Sequence, residues 1–184
     1  LAFTFVADEE NMSIGMEYLI ENYLPTLPSK PFLGIFMEPT EEAIGISHKG
    51  YSWYELKIEG LAAHGSRPEQ GINAIFPMEH ALSELSKINK ELLDEEPHPH
   101  LGHATLHPGM ISGGTAKSVI ASESNIKWER RTLPGESKQK LDDELQRVIS
   151  AVLKAPGDHK VTGSQVYNRP PNEVKNHSTI EALR

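Results

Sequence analysis

Tyr51-Ser52-Trp53-Tyr54-Glu55-Leu56-Lys57-Ile58-Glu59, followed by Gly60-Leu61-Ala62-Ala63-His64-Gly65-Ser66-Arg67-Pro68, is the stretch on which the fold turns. Trp53, Tyr54, Leu56 and Ile58 make the first nine residues a strand. The small residues, the glycines and Pro68 make the second nine a loop. Beyond the loop the period changes. Ile75, Met78, Ala81, Leu82, Leu85 and Ile88 recur at helical spacing, which predicts a helix from about Asn73 to Leu93.

The pattern continues downstream. Asp94 to His100 is a polar loop rich in proline and histidine, read as solvated. His103 to Ser112 reads as a strand that ends in Gly113-Gly114, and Glu123 to Thr132 as another, with Ile126 and Trp128 two apart. Pro134-Gly135-Glu136-Ser137 opens a second helix, whose stripe is Leu141, Leu145, Val148, Ile149 and Val152. Lys160 to Tyr167 is the last strand. The order β-α-β-β-α-β is the ferredoxin-like pattern. It predicts a complete α+β domain over 50–167, inserted between 1–49 and a return segment, 168–184, that begins with Asn168-Arg169-Pro170-Pro171.

The segment before it has another character. Leu1-Ala2-Phe3-Thr4-Phe5-Val6-Ala7 reads as a strand buried on both faces and ends in Asp8-Glu9-Glu10. Asn11 to Leu24 has near-helical apolar spacing, stopped by Pro25 and Pro28, and Phe32 to Met37 is a short apolar run before Glu38-Pro39-Thr40. Strand, helix and strand predict a βαβ unit with parallel strands. Their carboxyl ends would bring Glu9, Glu10 and Glu38 to one sheet edge, where α/β sheets carry their sites. Three carboxylates there would call for a cation or a proton between them.

Composition narrows the functional classes. The 184 residues suit one large domain or two small ones, with 38% hydrophobic residues for a core and 24% charged. A net charge of −8 argues against a nucleic-acid partner. No apolar run approaches a membrane span, and no signal peptide is recognisable before Leu1. There is no cysteine, so a metal would be held by His, Asp and Glu, which suits zinc, cobalt or manganese. The same composition leans toward a cytoplasmic setting.

These segments together resemble the dinuclear zinc amidohydrolases and metallopeptidases that include acetylornithine deacetylase, succinyl-diaminopimelate desuccinylase, aminoacylase and the glutamate carboxypeptidases. The resemblance rests on Asp8-Glu9-Glu10, Glu38-Pro39-Thr40, His48-Lys49-Gly50, the loop Gly60 to Pro68 with Gly71-Ile72-Asn73-Ala74-Ile75, Ser112-Gly113-Gly114 and Arg131-Thr132-Leu133-Pro134-Gly135. It implies hydrolysis of the amide bond of an N-acyl amino acid or small peptide by metal-bound water, with two divalent metal ions in the intact enzyme. It also implies a partial catalytic domain over 1–49 and a lid that forms a homodimer over 50–167.

Roles follow from the resemblance residue by residue. Glu9 resembles the general base, a carboxylate that finishes the deprotonation of a water already acidified by metal. Glu10 and Glu38 resemble metal ligands. His64 resembles the histidine that reaches into a partner subunit's site and donates an N–H to the developing oxyanion. Arg131 resembles the binder of a substrate carboxylate, for which a guanidinium fork is well shaped. Arg130 faces the other way along an extended strand and is the weaker candidate. Ser118 stands where the family commonly carries Asn, and Ala121 where Pro is usual. A rotating hydroxyl is a poorer clamp than a fixed amide, so the substrate-binding role of Ser118 is weakened.

The family's site also needs a His-x-Asp, a bridging Asp and a late His. None of the nine histidines is followed by Asp two positions later, and His177 lies too early to be the last ligand. The expectation is therefore a fragment with incomplete chemistry. The rival expectation is a catalytically inactive dimerisation or binding module, since such a domain can pair across a two-fold axis. A two-carboxylate glycosidase would use Glu9 and Glu38 but leave His64 and Arg131 without a task.

Overall fold

A computed structural model describes residues 3–10, 12–31, 33–175 and 177–181. The chain is a mixed α/β protein that divides into two units, Leu1–Ala43 and Ile44–Arg184.

The larger unit carries the predicted element order. Strand β2 (Gly50–Glu59) is followed by helix α2 (Met78–Asp94), β3 (Thr105–Gly113), β4 (Glu123–Thr132), helix α3 (Lys138–Leu153) and β5 (Lys160–Arg169). The four strands form one sheet in the order β3-β4-β2-β5, with every neighbouring pair antiparallel. This is the ferredoxin-like arrangement expected from the β-α-β-β-α-β order. Strands β2, β4 and β5 alternate in burial, so one face of the sheet is apolar, whereas β3, at the sheet edge, is exposed beyond Leu106. Tyr54, Leu56, Ile58, Leu106, Ile126 and Trp128 point into a core with Met78, Ala81, Leu85, Ile88 and Leu92 of α2 and Leu145, Val148 and Val152 of α3. Both helices lie on that face, and the opposite face, with Tyr51, Trp53, Glu129 and Arg131, is left open.

Local signals set the helix ends. The Ser137 hydroxyl accepts from the Lys140 N–H at 3.2 Å and caps α3. Helix α2 starts at Met78 rather than at Asn73, because the chain from Leu61 to Ala74 is zipped to other backbone instead. Leu61 and Ile72 bridge, and the Ala74 N–H donates to the Ala121 carbonyl at 2.8 Å. Ile75 and Leu82, read as core, are 46% and 39% exposed.

A two-stranded ribbon, β1 (Ser47–His48) paired with β6 (Asn172–Glu173), belongs to this unit as well. The unit thus starts at Ile44, six residues before the boundary read from the sequence. A short helix α4 (His177–Glu181) follows. His98, read as part of a solvated loop, is only 13% exposed at its side chain. Its Nε2 lies 3.3 Å from Glu173 Oε1, which joins the α2–β3 loop to β6.

The smaller unit departs from expectation. The described part of 3–43 contains no strand, so the βαβ unit is absent. Phe5 is 97% exposed rather than buried. A strand buried on both faces needs neighbouring strands for its N–H and C=O groups, and none pairs with it among the described residues. Leu1, Ala2 and Phe32 lie outside the described residues. The predicted helix is shorter and irregular: α1 (Ile14–Tyr18) runs into a π-helical turn, Leu19–Tyr23, and a 3-10 turn, Leu24–Thr26.

Candidate functional site

The loop that bears His64 is built by backbone pairing. The Gly60 N–H donates to the Ser122 carbonyl at 2.8 Å, the Ile120 N–H to Ala63 at 2.8 Å, and the Gly65 N–H to Ser118 at 2.7 Å, while His64 bridges Val119. Two expected site positions, His64 and Ser118, are therefore held together at one end of the sheet. The fit needs glycine: a Cβ on Gly65 would stand 3.0 Å from the Ser118 carbonyl oxygen, and one on Gly60 only 2.0 Å from that of Ile72.

His64 itself is exposed and oriented by its neighbours. Its Nδ1 lies 2.8 Å from Ser66 Oγ and 3.2 Å from the Ser66 backbone nitrogen. A backbone N–H can only donate, so Nδ1 accepts. This network assigns the proton of the neutral ring to Nε2, at the outward tip. The loop thus presents an imidazole N–H donor to whatever lies beyond it.

Arg131 lies at the other end of the sheet. It pairs with Tyr51 on β2 and Thr105 on β3, whereas the His64 loop adjoins the end marked by Glu59 and Glu123. Eight strand steps from Glu123 to Arg131, at about 3.4 Å each, separate the two groups by roughly 27 Å of backbone. The Arg131 Nε donates to Glu129 Oε1 at 2.7 Å, and its guanidinium carbon stands 5.3 Å from the Tyr51 ring centroid. Trp53 Nε1 donates to the other Glu129 oxygen at 2.9 Å. Tyr51, Trp53 and Tyr167 form an aromatic shelf with centroids 5.1–5.6 Å apart. Burial, and then the neighbouring Tyr51 hydroxyl, pushes the Tyr167 phenol up from its ordinary value. Sequence reading did not single out Glu129, Trp53 and Tyr51. The two-residue spacing of Glu129 and Arg131 was the only available signal, since cross-strand partners depend on register.

Arg130 points to the core side, as expected from alternation. Its side chain is fully buried between Glu136 and Glu144.

The three carboxylates of the smaller unit do not form the edge expected of them. Asp8 has φ 59°, and Glu9 and Glu10 lie in a turn whose Glu9 carbonyl accepts from the Ser13 N–H at 3.2 Å. Glu38 precedes another turn, its carbonyl bonded to the Thr40 N–H at 2.8 Å. All three glutamates are exposed, and no group of three His, Asp or Glu is placed to hold a metal ion among the described residues. These residues do not make up a metal site by themselves. Among the described residues, too, no helix is long and apolar enough to cross a membrane.

Comparison with known proteins agrees with this topology. Residues 46–156 match the peptidase dimerisation domain. This covers well over half of the chain, which therefore belongs to the amidohydrolase and metallopeptidase family that carries this domain. The acetylornithine deacetylase of Vibrio atlanticus is 32% identical over 158 residues, 84% of this chain and 41% of that protein. That of Buchnera aphidicola is 28% identical over 176 residues, 95% of this chain and 45% of the relative. The chain thus spans less than half the length of these curated relatives. Among solved structures, a hydantoinase/carbamoylase family amidase from Burkholderia ambifaria matches 75% of this chain and 32% of its own, with a TM-score of 0.58 at 14% identity. The aminobenzoyl-glutamate utilization protein from Klebsiella pneumoniae matches 73% of this chain and 32% of its own, with a TM-score of 0.52 at 21% identity. These two likenesses concern the fold alone.

Proposed function

We propose that this chain is the dimerisation-domain portion of a metal-dependent amidohydrolase, which cleaves the amide bond of an N-acyl amino acid or small peptide as a cytoplasmic homodimer. Arg131 holds the substrate carboxylate with its guanidinium fork. His64 donates its Nε2–H to the carbonyl oxygen as charge develops there, the moment at which such a donor is worth most. Glu9 as proton acceptor, and Glu10 and Glu38 as carboxylate ligands, are kept for the whole enzyme, where zinc, cobalt or manganese requires histidine ligands from outside this chain's described groups. Ser118 lines the same end as His64 and offers a single hydroxyl.

The observation that carries this reading is the separation of His64 from Arg131. Two groups at opposite ends of one sheet cannot hold one small substrate, so each is half of a site. A two-fold dimer supplies the other half, with Arg131 of one subunit and His64 of its partner.

Subunit mixing tests this. Full-length His64→Ala and Arg131→Ala enzymes are each expected to be nearly inactive. Mixed and re-equilibrated, they form heterodimers with one intact site, and about one quarter of wild-type activity returns. No recovery in a demonstrated heterodimer would sink the reading.

The rival is a dimerisation module without catalysis, for which the match of residues 46–156 to the peptidase dimerisation domain is equally suited. Sedimentation with metal analysis separates the two. A stable dimer of the whole protein that holds no metal would favour the module.

A further inference from the structure

The contacts of Arg131 point beyond its own role. Its Nε edge is taken by Glu129 Oε1, and Glu129 Oε2 is taken by the Trp53 indole N–H. One face of the guanidinium rests over Tyr51. Glu129 is about one-fifth exposed and Arg131 two-fifths, so the pair is partly shielded from water. A guanidinium has two edges that can fork onto a carboxylate. Pinning Nε from one side and the π face from below leaves the edge made by the two terminal nitrogens turned outward.

We propose that Glu129, braced by Trp53, is a positioning residue that orients Arg131 and so sets the enzyme's preference for substrates with a free α-carboxylate. The inference rests on the reading of Arg131 as the carboxylate binder. Glu129 does not touch substrate. It holds a long, otherwise mobile side chain in one rotamer, so that less freedom is lost when the carboxylate arrives. Trp53 contributes by fixing Glu129, since an indole N–H can only donate and a carboxylate can only accept.

The test uses the full-length, metal-replete enzyme with two probes, an N-acetyl amino acid and its α-carboxamide. In Glu129→Ala, KM for the acid is expected to rise about tenfold with kcat within about twofold, a loss of ~1.4 kcal/mol in binding. KM for the carboxamide stays unchanged, so the acid-over-amide preference falls by the same factor. Glu129→Gln can satisfy only one of the two donors and gives a smaller change in the same direction. Trp53→Phe, which keeps the ring and loses the N–H, follows it. Calorimetric binding of the product amino acid, which keeps the α-carboxylate and has no amide left to hydrolyse, gives a second readout independent of turnover.

A structural role alone would lower kcat and stability for both probes together, and that result overturns the proposal. So does an unchanged preference in Glu129→Ala when Arg131→Ala abolishes it, which leaves the role of Arg131 standing. An unchanged preference in Arg131→Ala itself removes the reading of Arg131 and the inference with it.

Discussion

Arg130 and Glu144 form a buried charge pair beneath the sheet, with Arg130 Nε 3.0 Å from Glu144 Oε2 and Nη2 3.1 Å from Oε1. Arg130 also meets Glu136 through Nη2 at 2.6 Å and Nη1 at 3.2 Å, and Nη1 donates to the Arg131 carbonyl at 2.5 Å. All five guanidinium donors are satisfied, which is the condition for burying that charge. The network ties β4 to α3 and to the turn between them.

Removing the cation strands the buried Glu144 carboxylate and leaves the half-buried Glu136 with Lys140 and the Leu133 N–H alone. Arg130→Met is therefore expected to cost about 3–5 kcal/mol in urea unfolding, and Arg130→Lys, with three donors in place of five, to restore only part of it. A loss below about 1 kcal/mol would refute the importance of the network.

The same network makes a pH prediction. Burial alone raises the Glu136 carboxyl, but Arg130, the Leu133 N–H and Lys140 outweigh it and hold the group below its usual range. A carboxyl depressed on folding contributes its full stabilisation above its unfolded value. It loses that contribution as pH falls through the folded one. Stability is thus expected to decline from about pH 4.5 downward, and Glu136→Gln to flatten that limb of the profile. An equally steep acid limb in the Gln variant would count against it.

Gly60 is a steric prediction. A side chain there would have its Cβ 2.0 Å from the Ile72 carbonyl oxygen, a backbone atom that cannot rotate away. Gly60→Ala is expected to cost about 2–3 kcal/mol and to loosen the His64 loop. Gly109, where nothing lies within 4 Å of an added Cβ, is the control expected to tolerate Ala far better.

His98 and Glu173 link the α2–β3 loop to the β1–β6 ribbon, where the Val174 N–H donates to the Ile46 carbonyl at 2.8 Å. His98→Ala is expected to speed hydrogen exchange at Val174 while leaving the β2–β4 amides protected. Unchanged exchange at Val174 would show that the link does not hold the ribbon.

Legibility in the sequence followed the range of the interactions. Glu123 to Thr132 and the α3 stripe were readable because alternation and helical periodicity are local properties, imposed by burial on one face. Asn73 to Pro77 misled because the Ala74 N–H and C=O bond to Ala121 and Ser124, far along the chain, and the Ile75 N–H turns back to Asn73 Oδ1, which together outweigh local helical spacing. The first strand misled for the opposite reason: its apolar run describes a place inside a sheet, and no neighbouring strand is described to make that place.

By itself the sequence determined the β-α-β-β-α-β order, the candidate positions His64, Ser118 and Arg131, and the opposite facing of Arg130 and Arg131. The order and the facing follow from periodicity, and the candidate positions from motifs that resemble the family's. Only the tertiary structure decided that His64 and Ser118 share one end of the sheet, that Arg131 stands at the other, and that Glu129, Trp53 and Tyr51 surround it. Those relations are set by strand order and register, which depend on which apolar faces pack together.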